Sequence, residues 1–411
     1  MRFEKNWGQL GMRYKTCPVS DLIDEIAMGP FGSNIKVECF VEEGVPVLNG
    51  SNLNGFELQE KSFRYVTEEK ADSLKKANAY KGDVIITHRG TLGQIVYIPQ
   101  TAQKDRYVIS QSQFRVRCNS KVLPEYFVYY FHTPIGQYKL LSNASQVGVP
   151  ALARPSSTFQ KIEIAVPDLD TQKRVVAIIN SIQARIKINN KINDNLHQQA
   201  RTLLAQWQIE HEGEYDFSLL SDVAVINPDT YSPKDAWEYV NYLDTSSITD
   251  GIISEVQCIK PLTEKLPSRA RRIISANDVV FSTVRPNQHH FGIITEPLEN
   301  MLASTGFAVI RSCHPLVSNE LLYLCLTENS FIEKMQQLAE QSTSTFPSIK
   351  PSDLGVCKIP CPIDQDLSDA LNTLFACITA NQRENTSLSA LRDTLLPKLM
   401  SGEIDVSDIQ F

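Results

Sequence analysis

The chain of 411 residues is long enough for two domains, and its 42% hydrophobic and 21% charged residues are typical of a soluble globular protein. It has no run of 18 apolar residues and no apolar stretch at its start, so we expect a cytoplasmic protein without a membrane span. The net charge of −7 argues against a DNA-binding protein that relies on overall positive charge. Residues 1–167 nevertheless carry a net charge of +4, so the acidity does not exclude binding through a few placed cations.

Residues 1–167 have the pattern of a domain built from short strands and loops. Glycine and proline punctuate this part of the chain, and β-rich runs lie between them at residues 83–87 and 94–98. The pattern is helical at residues 68–79 and 125–141. We therefore predict a mixed α/β domain in the first part of the chain.

The second half of the chain repeats the order of the first. Residues 168–210 contain no glycine or proline and predict one long helix, and a polar break follows it. The matching runs are 82–87 and 277–283, 114–117 and 307–311, 124–125 and 319–320, and 164–167 and 359–362. This pattern predicts a tandem duplication of one unit, an α/β domain followed by a helix of about 40 residues.

The two predicted helices carry the same apolar ladder, about 192 residues apart. Its steps alternate between three and four residues, which is the a/d spacing of a coiled-coil seam. The first copy reads Val175, Ile179, Ile182, Ile186, Asn189, Asn193, Leu196, Ala200, Leu203 and Trp207. The second copy reads Leu367, Leu371, Leu374, Ile378, Asn381, Asn385, Leu388, Arg392, Leu395 and Leu399. Asparagine occupies the same two rungs in both copies.

A helix of this length spans about 60 Å and is unstable alone when it has a single apolar stripe. We expect the two helices to pair antiparallel, with Asn189, Asn193, Asn381 and Asn385 fixing the register because a buried amide needs a polar partner. The alternative is that each helix packs on its own domain and that the asparagines are solvated. The predicted fold class is α+β (mixed α/β), with two tandem domains, each followed by a long helix, and the helices paired as an antiparallel coiled coil.

Four short segments carry a resemblance to a known family. They are residues 28–34 (MGPFGSN), 81–90 (KGDVIITHRG), 164–173 (IAVPDLDTQK) and 395–404 (LLPKLMSGEI). Through these segments and the duplicated order, nearly the whole chain resembles the DNA-sequence specificity subunits of type I restriction–modification enzymes. Two departures concern individual loops, because the second copy lacks a glutamine at the entry of its helix and a glycine before Asp278.

The resemblance implies two target-recognition domains, at residues 1–167 and 213–362, each reading one half of a split, asymmetric site in double-stranded DNA. It implies that the helices at residues 168–212 and 363–411 set the length of the unread spacer. Two methyltransferase subunits and two translocase/endonuclease subunits are the implied partners, and they complete a restriction endonuclease and adenine-N6 methyltransferase complex. The partners would use S-adenosylmethionine, ATP and Mg²⁺, and this chain would hold no cofactor of its own.

Polar loops after the predicted strands supply the candidate DNA contacts. In the major groove, Arg and Lys pair with guanine, whereas Asn and Gln pair with adenine. The candidates are Ser33, Asn34, Lys36, Asn52, His88, Arg89, Thr91, Gln111 and Gln113 in the first domain, and Thr283, Arg285, Asn287, Gln288 and His289 in the second. The two richest loops occupy matching places in the repeat. Solvated polar turns are the alternative for both.

Two further groups in the second domain have more than one interpretation. Arg269, Arg271 and Arg272 form its strongest basic run, and they either contact phosphates or form ion pairs with nearby acids. The adjacent His289 and His290 have no carboxylate or cysteine following at ligand spacing, so we predict no metal site.

The chain carries no motif for catalysis. It lacks the Gly-x-x-x-x-Gly-Lys-Ser/Thr loop that holds ATP. Its nearest match to an amino-methyltransferase motif, at residues 227–230, lacks the second proline and the aromatic residue. We therefore expect no catalytic residues. A second hypothesis, from a different class, is a non-catalytic two-domain protein-interaction scaffold that does not read DNA, which the acidic second half favours.

Overall fold

The computed structural model describes residues 14–30, 34–145, 148–342 and 346–409. The chain divides into two compact units, Met1–Ile186 with Thr386–Phe411 and Lys187–Asn385. Each unit contains an α/β domain together with a part of each of two long helices. Each unit has its own hydrophobic core.

The first unit contains a four-stranded and a five-stranded sheet. Its strands are β1 (Lys15–Pro18), β2 (Ile23–Met28), β3 (Phe40–Val41), β4 (Val45–Val47), β5 (Arg64–Val66), β6 (Asn78–Tyr80), β7 (Asp83–Thr87), β8 (Ile95–Tyr97), β9 (Arg106–Val108), β10 (Gln113–Cys118), β11 (Ala144–Ser145), β12 (Ala151–Leu152) and β13 (Glu163–Val166). The four-stranded sheet has the order β2-β10-β7-β8 and is antiparallel, and the five-stranded sheet has the order β3-β5-β4-β9-β6, with β4 and β9 parallel. The pairs β1–β13 and β11–β12 complete the unit.

The helices of the first unit differ in two places from the sequence prediction. They are α1 (Glu68–Ser73), α2 (Pro124–His132), α3 (Pro134–Leu141), α4 (Pro155–Gln160) and α5 (Leu169–Glu210). The helix predicted at residues 68–79 ends early, where Asn78 donates to the carbonyls of Ala71 and Lys75. The helix predicted at residues 125–141 is broken at Pro134, because proline cannot continue the hydrogen-bond ladder and Thr133 caps the new helix instead.

The buried strand β7 shows why the first unit has this layered architecture. All five of its residues are buried. Val84 and Ile86 join the core that contains α2, whereas Ile85 joins the core of the five-stranded sheet. Alternate residues of a strand face opposite sides of a sheet, so a strand covered on both sides reads as a continuous apolar run.

The second unit has the same architecture. Its strands are β14 (Asp216–Leu219), β15 (Ala224–Ile226), β16 (Val240–Leu243), β17 (Ile248–Thr249), β18 (Ile252–Ile253), β19 (Gln257–Ile259), β20 (Ala270–Ile273), β21 (Asp278–Ser282), β22 (Phe291–Ile294), β23 (Met301–Ser304), β24 (Phe307–Ser312) and β25 (Lys358–Cys361). Its helices are α6 (Leu220–Val223), α7 (Asn319–Leu326), α8 (Asn329–Glu340), α9 (Pro351–Gly355) and α10 (Asp366–Ser401). The sheet β15-β24-β21-β22 repeats the strand order of the four-stranded sheet in the first unit. A second sheet, β19-β16-β23-β20, contains the parallel pair β16–β23. The predicted mixed α/β fold with two duplicated domains is confirmed.

The long helices α5 and α10 pack against each other antiparallel within each unit. In the first unit, residues 175–179 of α5 share a core with residues 396–400 of α10. In the second unit, residues 200–207 of α5 share a core with residues 367–378 of α10. Low numbers in one helix therefore meet high numbers in the other, which confirms the predicted antiparallel pairing.

The four seam asparagines meet one another in the second unit. Asn189 is fully buried and donates to Asn385 Oδ1 over 2.9 Å, while Asn381 donates to Asn193 Oδ1 over 2.8 Å. Asn385 in turn donates to Asn190 Oδ1 over 2.8 Å. A buried amide pair favours one register, because sliding either helix would separate the two asparagine pairs.

At the entries of the two helices the burial pattern repeats at an offset of 196 residues, whereas the seam asparagines keep the 192 of the apolar ladder, because Asn189–Asn385 and Asn193–Asn381 are the same contact in the two copies. The buried residues Val175, Ile179 and Ile182 correspond in this way to Leu371, Phe375 and Ile378. Residues one turn apart lie on the same face of a helix, so an apolar ladder matches almost equally well after sliding by one turn. The helix entries support the longer offset, because Gln172 donates to the carbonyl of Lys121 and Ser368 donates to that of Leu316.

Replacing Gln172 by alanine is expected to destabilise the first unit by about 1–3 kcal/mol. Gln172 is fully buried, accepts from Leu123 N and donates to the carbonyls of Lys121 and Pro167, so its loss leaves these backbone groups unpaired. Calorimetric unfolding measures the change. The exposed Gln198 of the same helix is the control, and Gln198→Ala should stay within about 0.5 kcal/mol of the wild type. Equal transitions for the two variants would contradict this account.

Each unit contains the same ion pair between neighbouring strands, in which a partly exposed arginine meets a buried aspartate. Arg117 Nε donates to Asp83 Oδ1 over 2.8 Å in the first unit, and Arg311 Nε donates to Asp278 Oδ1 over 2.7 Å in the second. The side chains of Asp83 and Asp278 are 1% and 0% exposed. The hydrogen bond to Asp278 raises the pKa of Arg311 above its usual value. The pair ties the first residue of the central strand to its neighbour in both copies of the fold.

Candidate functional site

The loops at one edge of the four-stranded sheet meet in the first unit. The backbone after β7 is held by its neighbours, since His88 N donates to Ser112 O and Leu152 N donates to His88 O. Gln94 connects this loop to a third one, because it accepts from Thr87 Oγ1 and donates to Gly50 O. The loops around residues 49–54, 88–94, 110–113 and 150–152 thus form one surface, which we call the first loop surface.

Most of the first-domain candidates are exposed side chains. Arg89, Thr91 and Gln111 are exposed on the first loop surface, and Asn34 and Lys36 are exposed on the loop after β2. Ser33 lies outside the described residues. The positions of these residues leave their side chains available to a ligand.

His88 is half-buried beneath the same surface. Its Nε2 lies 3.1 Å from the carbonyl oxygen of Gln111, which can only accept, so this nitrogen carries the proton. Burial, together with the charge of Arg89, lowers the pKa of His88 below its usual value. His88 is therefore a neutral side chain that connects the loops before β10 and after β7.

Asn52 and Gln113 have internal roles, and we withdraw them as DNA contacts. Both are fully buried. Asn52 donates to the carbonyls of Gln59 and Lys61 and accepts from Asn49 N, which closes its own loop. Gln113 accepts from Ser110 N at the start of β10. In both cases the side-chain amide forms a hydrogen bond with a backbone group that has no backbone partner in the irregular loop. Residue type and spacing alone did not reveal this role.

The matching loop of the second unit is a tight turn between β21 and β22. Residues 286–288 form one 3-10 turn, flanked by Arg285 and His289 with φ of 48° and 57°. Few residues other than glycine adopt this left-handed conformation. The guanidinium of Arg285 lies 5.0 Å from the ring centre of the half-exposed Phe346, within the range of a cation–π interaction. The turn thus holds its exposed side chains in defined places.

Among the second-domain candidates, Thr283 is internal and the others are accessible. Thr283 is buried and its hydroxyl donates to Gly306 O over 2.9 Å, so we withdraw it as a DNA contact. Asn287 and Gln288 are exposed. His289 is 38% exposed, its Nδ1 lies 2.8 Å from Asp250 Oδ1, and its ring stacks on Phe291.

The loops of the two units match, but their arginines do not. In the first unit, Leu152 N donates to His88 O and Gly90 N donates to Pro150 O; in the second, Ile349 N donates to Thr283 O and Arg285 N donates to Pro347 O. His88 therefore corresponds to Thr283, and Gly90 corresponds to Arg285. Both Gly90 and Arg285 have positive φ, at 92° and 48°. Arg89 consequently lies one residue before the position that Arg285 occupies.

The basic run of the second domain lies at the edge strand β20. Arg271 Nε donates to Ser268 O and Arg272 Nη1 donates to Thr230 Oγ1, at 3.3 and 3.5 Å. Burial lowers the pKa of Arg272. No ion pair links Arg269, Arg271 or Arg272 to an acid in the part of the chain that the structure describes. Of the two interpretations of this run, internal ion pairing therefore finds no support.

Sequence reasoning missed two residues that position the second loop. Asp250 orients His289 from the tip of the β17–β18 hairpin, and Phe346 supports Arg285. The pair Asp250-Gly251 between two Ile-rich strands is a signal for a tight hairpin turn. Phe346 carries no such signal, because its role depends on a segment about 60 residues away in the chain.

Within the described ranges, no group of three or more His, Cys, Asp or Glu side chains is arranged to hold a metal ion. No helix within the same ranges is long and apolar enough to cross a membrane.

Comparisons with known proteins point to one family. Residues 32–198 match the family model described as "Type I restriction modification DNA specificity domain". The chain is 21% identical to the type I restriction enzyme HindI specificity subunit of Haemophilus influenzae, covering 79% of this chain and 87% of that protein. It is 22% identical to the MjaIX specificity subunit of Methanocaldococcus jannaschii, covering 94% and 93%.

A solved structure has a similar fold. The type I restriction–modification S subunit from M. genitalium covers 95% of this chain and 96% of its own, with a TM-score of 0.51 and 15% sequence identity. At this identity the comparison bears on the fold alone. It agrees with two α/β domains and two long helices in one chain.

Proposed function

Because this chain belongs to the family of type I restriction–modification specificity subunits, we propose that it reads a bipartite, asymmetric site in double-stranded DNA. Each α/β domain reads one half of the site through the loops at the edge of its four-stranded sheet. A specificity subunit is a non-catalytic component, so the proposed role consists of binding and positioning.

One observation carries this proposal. The same edge of the same sheet presents a loop with exposed polar and cationic side chains in both units, and the loops are held by matching backbone hydrogen bonds. The side chains on these loops differ, with Arg89 and Thr91 in one and Arg285, Asn287 and Gln288 in the other. The two halves of an asymmetric site differ in sequence. They therefore require different base-contacting side chains, which a common scaffold can carry.

The proposed partners are two methyltransferase subunits and two translocase/endonuclease subunits, with the exposed faces of α5 and α10 as their docking surface. These partners would use S-adenosylmethionine, ATP and Mg²⁺. The helices, at about 1.5 Å per residue, would also set the length of the spacer between the two half-sites.

Genome-wide adenine methylation tests the proposed function. Cells that express the chain with its methyltransferase partner are compared with cells that express the methyltransferase alone. A new split motif with a fixed gap is expected. An assembled complex without any new motif would contradict DNA reading and would favour the protein-interaction scaffold.

Replacing Arg89 or Arg285 by alanine is expected to weaken binding to the cognate site by about 1–3 kcal/mol each, with relaxed sequence preference in different halves of the site. Both guanidinium groups are exposed on the loop that follows the central strand. Binding to duplexes with single base changes measures the effect, and each variant is the control for the other half-site. A uniform loss on all sequences, with a salt slope reduced by about 1, would instead identify a phosphate contact.

A further inference from the structure

The second unit contains a groove lined mostly by polar side chains. It lies between the 286–288 turn and helix α8, with a volume of about 510 Å³. Its polar lining residues are Asn287, His289, Asn329, Glu333, Gln336 and Gln337. The nearly fully buried Ile332 adds an apolar surface. We call this feature the carboxamide groove, because four of its residues carry amide side chains.

Gln336 has a positioning role in the carboxamide groove. Its Oε1 accepts from Asn287 N over 3.3 Å, and its Nε2 donates to Glu340 Oε1 over 2.9 Å. Gln336 thereby holds the turn against α8 and fixes the width of the groove. Its own amide is already used inside the protein.

The other amides of the groove are available to a ligand. Asn287, Asn329 and Gln337 are exposed, and within the described ranges their side-chain amides form no hydrogen bond. His289 is oriented by Asp250, whose carboxylate can only accept, so Nδ1 is the donor in this contact. The groove therefore offers both donors and acceptors at fixed places.

These groups match one base better than the others. A carboxamide donates and accepts in the same plane, which suits N7 and the N6 amino group of adenine. No Arg or Lys lines the groove, so the usual partner of guanine is absent from it. The carboxylate of Glu333 would repel a phosphate, whereas it would accept from an amino group on a base.

The corresponding place in the first unit is built differently. Gln137 of α3 donates to the carbonyls of Gly93 and Phe131 there, so its amide is used internally. Helix α3 has 8 residues, whereas α8 has 12 and carries Asn329, Gln336 and Gln337. The groove thus distinguishes the second unit from the first although both share one scaffold.

We propose that the carboxamide groove binds the major-groove edge of an adenine in one half of the DNA site, with one of Asn287, Asn329 and Gln337 as the base-reading residue. This inference rests on the proposed function. It adds the identity of one base and a set of three residues, one of which reads it.

Isosteric replacements test the inference in the assembled complex with its methyltransferase. Asn287→Asp, Asn329→Asp and Gln337→Glu each remove an amide donor and leave a shape of the same size. In the variant that loses the base-reading amide, methylation of the cognate motif is expected to fall about 5- to 150-fold, with preference at one A·T position relaxed or moved to cytosine and the other half-site unchanged. The exposed Gln257 on β19 is the matched control, and Gln257→Glu should leave the motif unchanged.

A chemical probe checks the same contact without any change in the protein. The wild-type complex should bind less tightly to a duplex in which 7-deaza-adenine, which lacks the N7 acceptor, replaces the adenine concerned. The variant that has lost its partner amide should show no further loss on this duplex. An unchanged motif in all three variants, or a loss independent of base identity, would overturn the inference while leaving the proposed function in place. A wild-type complex without any split motif would overturn the proposed function itself.

Discussion

Replacing Arg311 by methionine is expected to destabilise the second unit by about 3–5 kcal/mol. Asp278 is fully buried, and two of its partners, Arg311 and Ser275 N, lie on its two carboxylate oxygens. Methionine keeps much of the apolar stem but leaves the carboxylate without its cation in a place that water does not reach. For a unit of this size the calorimetric transition should move down by roughly 10 °C.

Two further variants separate charge from packing in this experiment. Arg311→Met combined with Asp278→Asn removes both charges and should recover part of the loss. The exposed Arg269 lies in the same unit and has no ion pair in the described ranges, so Arg269→Met should change the transition by less than about 0.5 kcal/mol. A transition for Arg311→Met equal to that of Arg269→Met would contradict the role assigned to the ion pair.

The same replacement in the first unit is expected to have a smaller effect. Arg117 is 42% exposed, so solvent screens its interaction with Asp83. A second cation, Arg115, lies 3.6 Å from Asp83 and remains after Arg117 is lost. The stability of the first unit should therefore depend less on the Arg117–Asp83 pair than the stability of the second unit depends on the Arg311–Asp278 pair.

Removing one heptad from each long helix is expected to shorten the spacer of the recognised site by about three base pairs. Seven residues correspond to about 10 Å of helix, and one base pair rises 3.4 Å. The segments to remove are residues 182–188 of α5 and 386–392 of α10, which lie opposite each other. In the antiparallel seam, the numbers of two paired residues add up to about 574. Removing both segments keeps the Asn189–Asn385 pair and changes the rotation of the helix by only about 20°.

The methylation motif of the shortened chain provides the measurement. Both half-sites should keep their sequence while the gap between them contracts. A shortened chain that methylates with the original gap would contradict the proposal that the helices set the spacer.

Several features of the fold could be predicted from the order of residues. The duplication, the two glycine- and proline-free helices and the apolar run of β7 depend on neighbours in the chain, and all are present in the structure. Pro134 is a local signal for the start of a new helix. The sequence prediction missed it because residues 125–141 have a helical pattern on both sides of the proline. The predicted offset of 192 residues holds for the seam asparagines but not for the helix entries, where the contact of Ser368 with Leu316 O matches that of Gln172 with Lys121 O at 196.

The candidate site depended much more on tertiary structure. Exposed residues of the predicted loops, such as Arg89, Arg285 and Asn287, could be selected because loops after strands lie at the surface. Asn52, Gln113 and Thr283 are also polar and lie in the same loops or at their ends. They are buried, however, and their side chains form hydrogen bonds with the backbone.

The amino-acid pattern alone was sufficient for the repeat, the helices and the class of loop, because periodicity and turn residues act over a few positions. Which polar side chain faces outward, and which amides meet across the carboxamide groove, depends on segments tens of residues apart in the chain. A polar group becomes internal or available according to whether folding brings it a hydrogen-bond partner, and only the folded chain decides that.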